Sequence, residues 1–226
     1  QPIQAISELL ADKPTISFHV DAVQALAKIP TEKYLTERVD FATFSSHKFH
    51  GVRGVGFVYI KSGKKITPLL TGGGQEGDYR STTENVAGIA ATAKALRLAM
   101  EKLDIFISKT GQMKSVILQA LLDYPDIFVF SDEEDFAPHI LTFGIKGVRG
   151  EVIVHAFEDY DIFISTTSAC SSKAGKPAGT LIAMGVDKDK AQSAVRLSLD
   201  LENDMSQVEQ FLTKLKLIYN QTRKVR

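Results

Sequence analysis

The stretch Val39-Asp-Phe-Ala-Thr-Phe-Ser-Ser-His-Lys-Phe-His-Gly51 decides the fold of this chain and contains its most informative lysine. The first six residues are mostly apolar, with β-branched and aromatic side chains, and predict a buried strand over 39–44. A polar turn follows, carries Lys48, and leads into glycines at positions 51, 54 and 56. We expect such a lysine to be shielded from water. Shielding favours the uncharged amine, which can form a Schiff base with an aldehyde.

Asp21 lies upstream in His19-Val-Asp-Ala-Val-Gln24, directly after the apolar run 15–20, which predicts another strand. A carboxylate in this place can keep the pyridine nitrogen of pyridoxal phosphate (PLP) protonated, so that the ring withdraws electrons. Gln24 follows three residues later and, in a helical turn, shares a face with Asp21. Without the lysine turn, a helix-capping aspartate and a surface glutamine would be the preferred interpretation.

The remaining pattern predicts an α/β layer architecture. A third strand is predicted at 55–60, helices at 1–10 and 86–102, the second capped by Asn85, and a glycine-rich loop at 71–77. Beyond Asp104 we expect helices at 106–122, 150–159, 177–184 and 205–222 and strands at 127–130, 139–143 and 194–199. The alternation of helices and strands beyond Asp104 divides the chain into a region 1–103 and a C-terminal domain 104–226.

Composition and charge are those of an ordinary soluble globular protein. Hydrophobic residues make up 44% and charged residues 24%, and the 27 basic residues equal the 27 acidic ones. This balance gives no general attraction to nucleic acid or to anionic membranes. No apolar run approaches the roughly 18 residues of a transmembrane helix, and no metal site is predicted. The single cysteine excludes an intrachain disulfide and favours a reducing, cytoplasmic location.

Six motifs occur in an order that resembles the NifS-like cysteine desulfurases of the class V aminotransferase group, which are fold type I PLP enzymes. They are His19–Gln24, Ser45–Lys48, Gly72–Glu76, Arg80–Thr83, Ser168–Ser171 and Arg196–Leu199. The resemblance extends over residues 1–212. It implies the remainder of a large PLP-binding α/β domain in region 1–103 and a complete small α/β domain in 104–226.

The resemblance also implies roles for the residues around Lys48. Lys48 would form the Schiff base with PLP, while Asp21 would pair with the pyridinium nitrogen and Gln24 would contact the ring hydroxyl. Ser45 and His47 would bind the phosphate, which needs several hydrogen-bond donors.

In the resembled family a threonine that corresponds to Thr83 binds the phosphate held by the other subunit. This would make a homodimer part of the active site. The family often has glycine where Thr82 stands, so the choice between Thr82 and Thr83 stays open.

Two further residues are predicted in the C-terminal domain. Cys170 lies in a segment of small and polar residues with Lys173 and Lys176 nearby, a context that favours thiolate. By resemblance it attacks the sulfur of L-cysteine and carries a persulfide.

Arg196 is predicted on a strand, where its guanidinium would bind the substrate carboxylate. Val195, Leu197 and Leu199 would face the core, with Arg196 and Ser198 on the opposite side. This chain has Asp200-Leu201 where the family commonly has a glycine. We expect this difference to affect only the turn after the strand.

These features predict a PLP-dependent cysteine desulfurase that gives alanine and passes persulfide sulfur to an acceptor protein. The acceptor could be an iron–sulfur scaffold, a tRNA-thiolation protein or a thiamine-pathway protein. The chain begins without Met inside a predicted helix, so we expect a C-terminal fragment that is inactive alone. The alternatives are a class V aminotransferase, which needs no loop cysteine, a selenocysteine lyase, or a non-catalytic sulfur-relay module.

Overall fold

The computed structural model describes residues 1–131, 136–166 and 179–224, which divide into the units Gln1–Asp104 and Ile105–Arg226. The first unit contains a three-stranded sheet of β1 (His19–Asp21), β2 (Phe41–Ser45) and β3 (Gly56–Ile60), in that order. β1 is parallel to β2, and β3 is antiparallel to it. The helices of this unit are α1 (Ile3–Leu9) and α2 (Val86–Glu101), and short 3₁₀ turns span Thr31–Lys33 and Ser46–Phe49.

The core of the first unit forms where the apolar side of β2 meets its neighbours. Burial alternates along β2, with Ala42 and Phe44 inside, as expected for a strand with one covered face. The predicted helix over 86–102 is confirmed as α2, and the Asn85 side chain caps it by accepting a hydrogen bond from the Gly88 N–H at 3.0 Å. Leu96 of α2 packs against this core.

The predicted strand over 15–20 is wrong at its start, because β1 begins only at His19. In the segment before His19, the backbone is bound by side chains from distant residues and not by a neighbouring strand. The Arg38 guanidinium donates to the Ile16 carbonyl. The Asp40 carboxylate accepts the Phe18 N–H at 2.9 Å. These bonds satisfy polar groups that a strand would otherwise pair, so no longer strand forms.

The segment after β1 is a series of turns rather than the helix expected to present Asp21 and Gln24 on one face. Two helix-type hydrogen bonds form, from the Leu26 N–H to the Ala22 carbonyl and from the Ile29 N–H to the Ala25 carbonyl. Ala27 then adopts a left-handed conformation with φ 58°. Because L-residues are strained there, regular helix cannot continue through it.

The second unit contains a four-stranded antiparallel sheet in the order β4-β5-β7-β6. Its strands are β4 (Ile127–Val129), β5 (Ile140–Ile145), β6 (Ser165–Thr166) and β7 (Val195–Ser198). Its helices are α3 (Leu103–Leu121), α4 (Gly150–Glu158), α5 (Gly179–Ala183), α6 (Lys188–Gln192) and α7 (Met205–Lys224). Phe157 of α4 stacks on Phe211 of α7 with ring centroids 5.0 Å apart, at the centre of the core. Within the described ranges, no helix combines the length and apolarity needed to span a membrane.

Candidate functional site

β1 and β2 end at the same edge of the first sheet. Their parallel register places Asp21 opposite Thr43, and the Ala22 N–H donates to the Thr43 carbonyl at 3.1 Å. Ser45 ends β2 two residues after Thr43, and the turn with Lys48 follows directly. The carboxyl ends of adjacent parallel strands are where open α/β sheets bind ligands. The structure therefore brings Asp21 and the lysine turn to one edge, as the sequence motifs predict.

Buried residues anchor the lysine turn, Ser46–Phe49, at both of its ends. Ser46 is 0% exposed and Phe49 is 1% exposed, while His47 is exposed and Lys48 is half-buried. His50 closes the turn in a left-handed conformation with φ 63°, and the Gly51 N–H donates to the Ser46 carbonyl at 3.0 Å. The turn is thus held from inside, while the side chains of His47 and Lys48 keep access to the surface, so Lys48 is only partly shielded from water and not enclosed as expected.

The carboxylate of Asp21 is exposed, and its own backbone orients it. Its Oδ1 accepts the Val23 N–H at 3.1 Å, two residues along the chain. This bond uses one of several acceptor positions and leaves the others for a ring nitrogen. Gln24 is also exposed, and Ser45 is half-buried.

The groups at this edge fit PLP. A carboxylate and a primary amine stand at the ends of adjacent strands, as a protonated pyridine ring and an aldehyde require. The hydroxyl of Ser45 and the imidazole of His47 flank the amine in sequence and can donate to a phosphate. Among the residues described, the Lys48 ammonium makes no ion pair or hydrogen bond.

Thr83 lies in an exposed connection between the glycine-rich loop and α2. The loop is shaped by residues with positive φ, including Gly74 and Gly77, and by a hydrogen bond from the Ser81 N–H to the Leu70 carbonyl at 3.0 Å. The predicted role of Thr83 concerns a second subunit and therefore stays a proposal.

Arg196 stands in the second unit on β7, opposite Thr142 of β5 and Ser165 of β6. The predicted alternation of this strand is observed: Val195 and Leu197 are buried, whereas Arg196 is half-buried and Ser198 exposed. The Arg196 Nε is inaccessible to water and has no hydrogen-bond partner among the described residues. A buried donor without a partner is costly, and a carboxylate ligand could satisfy it.

Cys170, with Lys173 and Lys176, lies outside the described residues, so its predicted role rests on sequence alone. The turn after β7 is described. There the Asn203 side chain accepts the Asp200 N–H at 2.8 Å. This bond closes a turn at the position where the resembled family commonly has glycine.

Two buried residues were not predicted from the sequence, Ser46 in the lysine turn and Thr92 beside it. Ser46 lies within a quoted motif but was given no role, and Thr92 of α2 has no distinguishing local pattern. Their side-chain oxygens lie 2.9 Å apart, although the residues are 46 positions apart in sequence. Because α2 also carries Lys94, Arg97 and Glu101, the polar Thr92 did not stand out from its neighbours in the sequence.

Comparison with known proteins agrees with this geometry. Residues 1–211 match the aminotransferase class-V family, so the chain belongs to that family. It is 49% identical over its whole length to a protein of Lactobacillus delbrueckii subsp. bulgaricus described as a NifS/IcsS protein homolog, covering 59% of that protein. It is 34% identical to the cysteine desulfurase IscS of Clostridium botulinum, of which it covers 57%. The chain therefore spans a little over half the length of these relatives.

Solved structures establish the fold. A NifS-like protein superposes with a TM-score of 0.84 at 35% identity, over 97% of this chain and 57% of its own length. The NifS-like protein of Rickettsia africae gives the same TM-score at 28% identity, over 97% of this chain and 58% of its own length. The predicted α/β fold of the NifS-like enzymes is confirmed.

Proposed function

We propose that the whole protein is a PLP-dependent cysteine desulfurase and that this chain supplies most of its active-site side chains. The observation that carries the proposal is the register that sets Asp21 opposite Thr43, so that a carboxylate and the Lys48 turn share one sheet edge. The names of the relatives support it, because Clostridium botulinum IscS, for example, is a cysteine desulfurase.

PLP, when bound, withdraws electrons from the α-carbon of an attached amino acid. Asp21 keeps the ring nitrogen protonated and Gln24 contacts the ring hydroxyl. Lys48 would hold the aldehyde end of the cofactor, and its Nζ would carry the α-proton of the substrate. The amine is partly buried and has no ion-pair partner among the described residues, so no bond within them has to break before it reacts.

The phosphate is bound by the Ser45 hydroxyl and the His47 imidazole, the two polar groups that flank Ser46. In a homodimer, Thr83 of the partner subunit adds a donor to the same phosphate. Each active site would then be complete only in the dimer.

Arg196 binds the carboxylate of L-cysteine through its planar guanidinium. The Cys170 thiolate attacks the substrate sulfur. An S–S bond forms, the Cβ–S bond breaks, and the carbon skeleton that keeps the electron pair is protonated to give alanine. The persulfide on Cys170 then passes its outer sulfur to an acceptor protein, such as an iron–sulfur scaffold or a tRNA-thiolation protein.

Reductive trapping tests the assignment of Lys48. The whole protein is incubated with PLP, reduced with borohydride, and mapped by mass spectrometry. We expect pyridoxyl on Lys48 in preference to the exposed Lys65, and no visible absorption of bound PLP in Lys48→Ala. Lys65→Ala is the matched control and should leave both signals unchanged. Equal labelling of many lysines would contradict the proposal.

Turnover is a separate measurement. Because the chain spans 59% of the Lactobacillus relative, we expect the 226-residue protein with PLP and L-cysteine to release no appreciable sulfide. Sulfide release by material whose mass excludes a longer contaminant would show that this part is sufficient for activity.

A further inference from the structure

Ser46, the residue two positions before Lys48, is bonded through every polar group that it has. Its N–H donates to the Val55 carbonyl at 3.0 Å, its carbonyl accepts the Gly51 N–H at 3.0 Å, and its hydroxyl lies 2.9 Å from the Thr92 hydroxyl. Because Ser46 is 0% exposed, none of these groups has water as an alternative partner.

Thr92 connects this serine to the backbone of α2. Its Oγ1 also lies 2.8 Å from the Gly88 carbonyl, one turn earlier in the helix. A carbonyl only accepts and a hydroxyl carries one hydrogen, so when Thr92 donates to Gly88 the hydrogen between the two hydroxyls comes from Ser46. The result is a short chain of hydrogen bonds from the lysine turn to the first turn of α2.

Close packing at two glycines confines the same contact. A Cβ at position 51 would lie 2.0 Å from the Ser46 Oγ, and one at position 88 would lie 2.8 Å from a methyl of Val55. Gly51 therefore packs directly on the Ser46 side chain, and Gly88 packs on Val55, whose carbonyl accepts the Ser46 N–H. This packing leaves the Ser46 hydroxyl little freedom to choose another partner.

A purely local role for Thr92 can be separated from a positioning role. Thr110 of α3 is also buried, and its hydroxyl donates to the Phe106 carbonyl at 2.7 Å, the same one-turn geometry. Thr92 makes that local bond and, in addition, the bond to Ser46. Loss of the hydroxyl from Thr110 thus reports the local bond alone.

We propose that Ser46 and Thr92 are positioning residues that hold the Lys48 turn against the start of α2, so that the Lys48 amine is presented at the end of β2. This rests on the proposed function, in which Lys48 binds PLP. Neither residue touches the cofactor in this proposal, since both act through the backbone of the turn. The partner of the lysine turn is therefore a helix hydroxyl that lies far away in sequence.

The test uses the 226-residue chain with Ser46→Ala, Thr92→Val, Thr92→Ser, the double variant Ser46→Ala/Thr92→Val, and Thr110→Val. The first measurement is amide hydrogen exchange across residues 46–51, which needs no cofactor. We expect Thr92→Val and Ser46→Ala each to speed exchange about fivefold, the effect of one ordinary hydrogen bond. Exchange in the double variant should be no faster than in the single variants. The exchange rates of Thr92→Ser and Thr110→Val should equal that of the unmodified chain.

The second measurement, made on the whole protein with the same substitutions, is borohydride trapping of PLP at Lys48, expressed as a ratio to Lys65 in the same sample. We expect the ratio to fall about fivefold in Thr92→Val and to be restored in Thr92→Ser. Unchanged exchange and an unchanged ratio in Thr92→Val, or an equal effect of Thr110→Val, would overturn the positioning role. If the unmodified whole protein shows no preference for Lys48, the proposed function fails, and the exchange measurement still decides whether Thr92 holds the turn. If Thr92→Val does not fold, Ser46→Ala decides both measurements.

Discussion

The Asp40 carboxylate lies 3.0 Å from the Arg38 guanidinium and is 2% exposed, so the first unit contains a buried ion pair close to the start of β2. The Lys64 ammonium adds a contact at 3.1 Å. Burial by itself would raise the pKa of Asp40. The hydrogen bond from the Phe18 N–H and those from Lys64 and Arg38 outweigh it and lower the pKa below its usual value.

Asp40 should make the stability of the chain depend on acid pH. Because its folded pKa lies below the unfolded one, its contribution is complete above about pH 4 and is lost as the pH falls through the folded pKa. At neutral pH, Asp40→Asn should cost about 3 kcal/mol, since it leaves Arg38 without its buried partner. In this variant, the free energy of unfolding measured with urea should also depend less on acid pH. Asp12→Asn removes an exposed pair with Lys13 and should change stability by less than about 1 kcal/mol. An acid dependence identical in Asp40→Asn and the unmodified chain would contradict this account.

Gly51 should not tolerate a methyl group, although its φ is not in the left-handed region. A Cβ there would lie 2.0 Å from the Ser46 Oγ, so Gly51→Ala should destabilise the chain by about 1–3 kcal/mol. Gly111 is the matched control. It stands inside α3 with its nearest neighbour, Pro138, 3.9 Å from the added Cβ, and Gly111→Ala should stabilise by about 0.5–1 kcal/mol. Thermal or urea unfolding measures both, and a harmless Gly51→Ala would refute the close contact.

Arg196→Lys in the whole protein should weaken binding of L-cysteine about tenfold, because an ammonium cannot form the two parallel bonds that a guanidinium makes with a carboxylate. A rise in KM at constant cofactor occupancy is the expected result. Arg149 in the same domain pairs with Glu151 at the surface, so Arg149→Lys should leave KM unchanged. If Arg196→Lys binds L-cysteine as tightly as the unmodified protein, Arg196 does not bind the substrate carboxylate.

Cys170→Ser in the whole protein should still bind PLP at Lys48 but should form no protein-bound persulfide. Serine oxygen is a poor nucleophile towards sulfur compared with a thiolate. Mass spectrometry after addition of L-cysteine should find one extra sulfur atom on Cys170 in the unmodified protein and none in the variant. A reductant should remove the added sulfur. Normal sulfur transfer by Cys170→Ser would show that another group carries the sulfur.

Local sequence patterns were enough to predict several elements of the fold. The apolar run 39–44 predicted the strand before Lys48, because β-branched and aromatic side chains favour a strand. The polar side chain of Asn85 predicted the start of α2, because a helix leaves its first N–H groups without partners. The motifs around Asp21 and Lys48 predicted the class of enzyme.

Only the tertiary structure decided the start of β1 and the support of the lysine turn. Asp40 binds the Phe18 N–H from 22 residues away, and Thr92 binds Ser46 from 46 residues away. Local periodicity shows which side chains are apolar, but it does not show which distant group will satisfy a buried polar atom. That choice depends on which segments the folded chain packs together, and burial makes the resulting hydrogen bond obligatory.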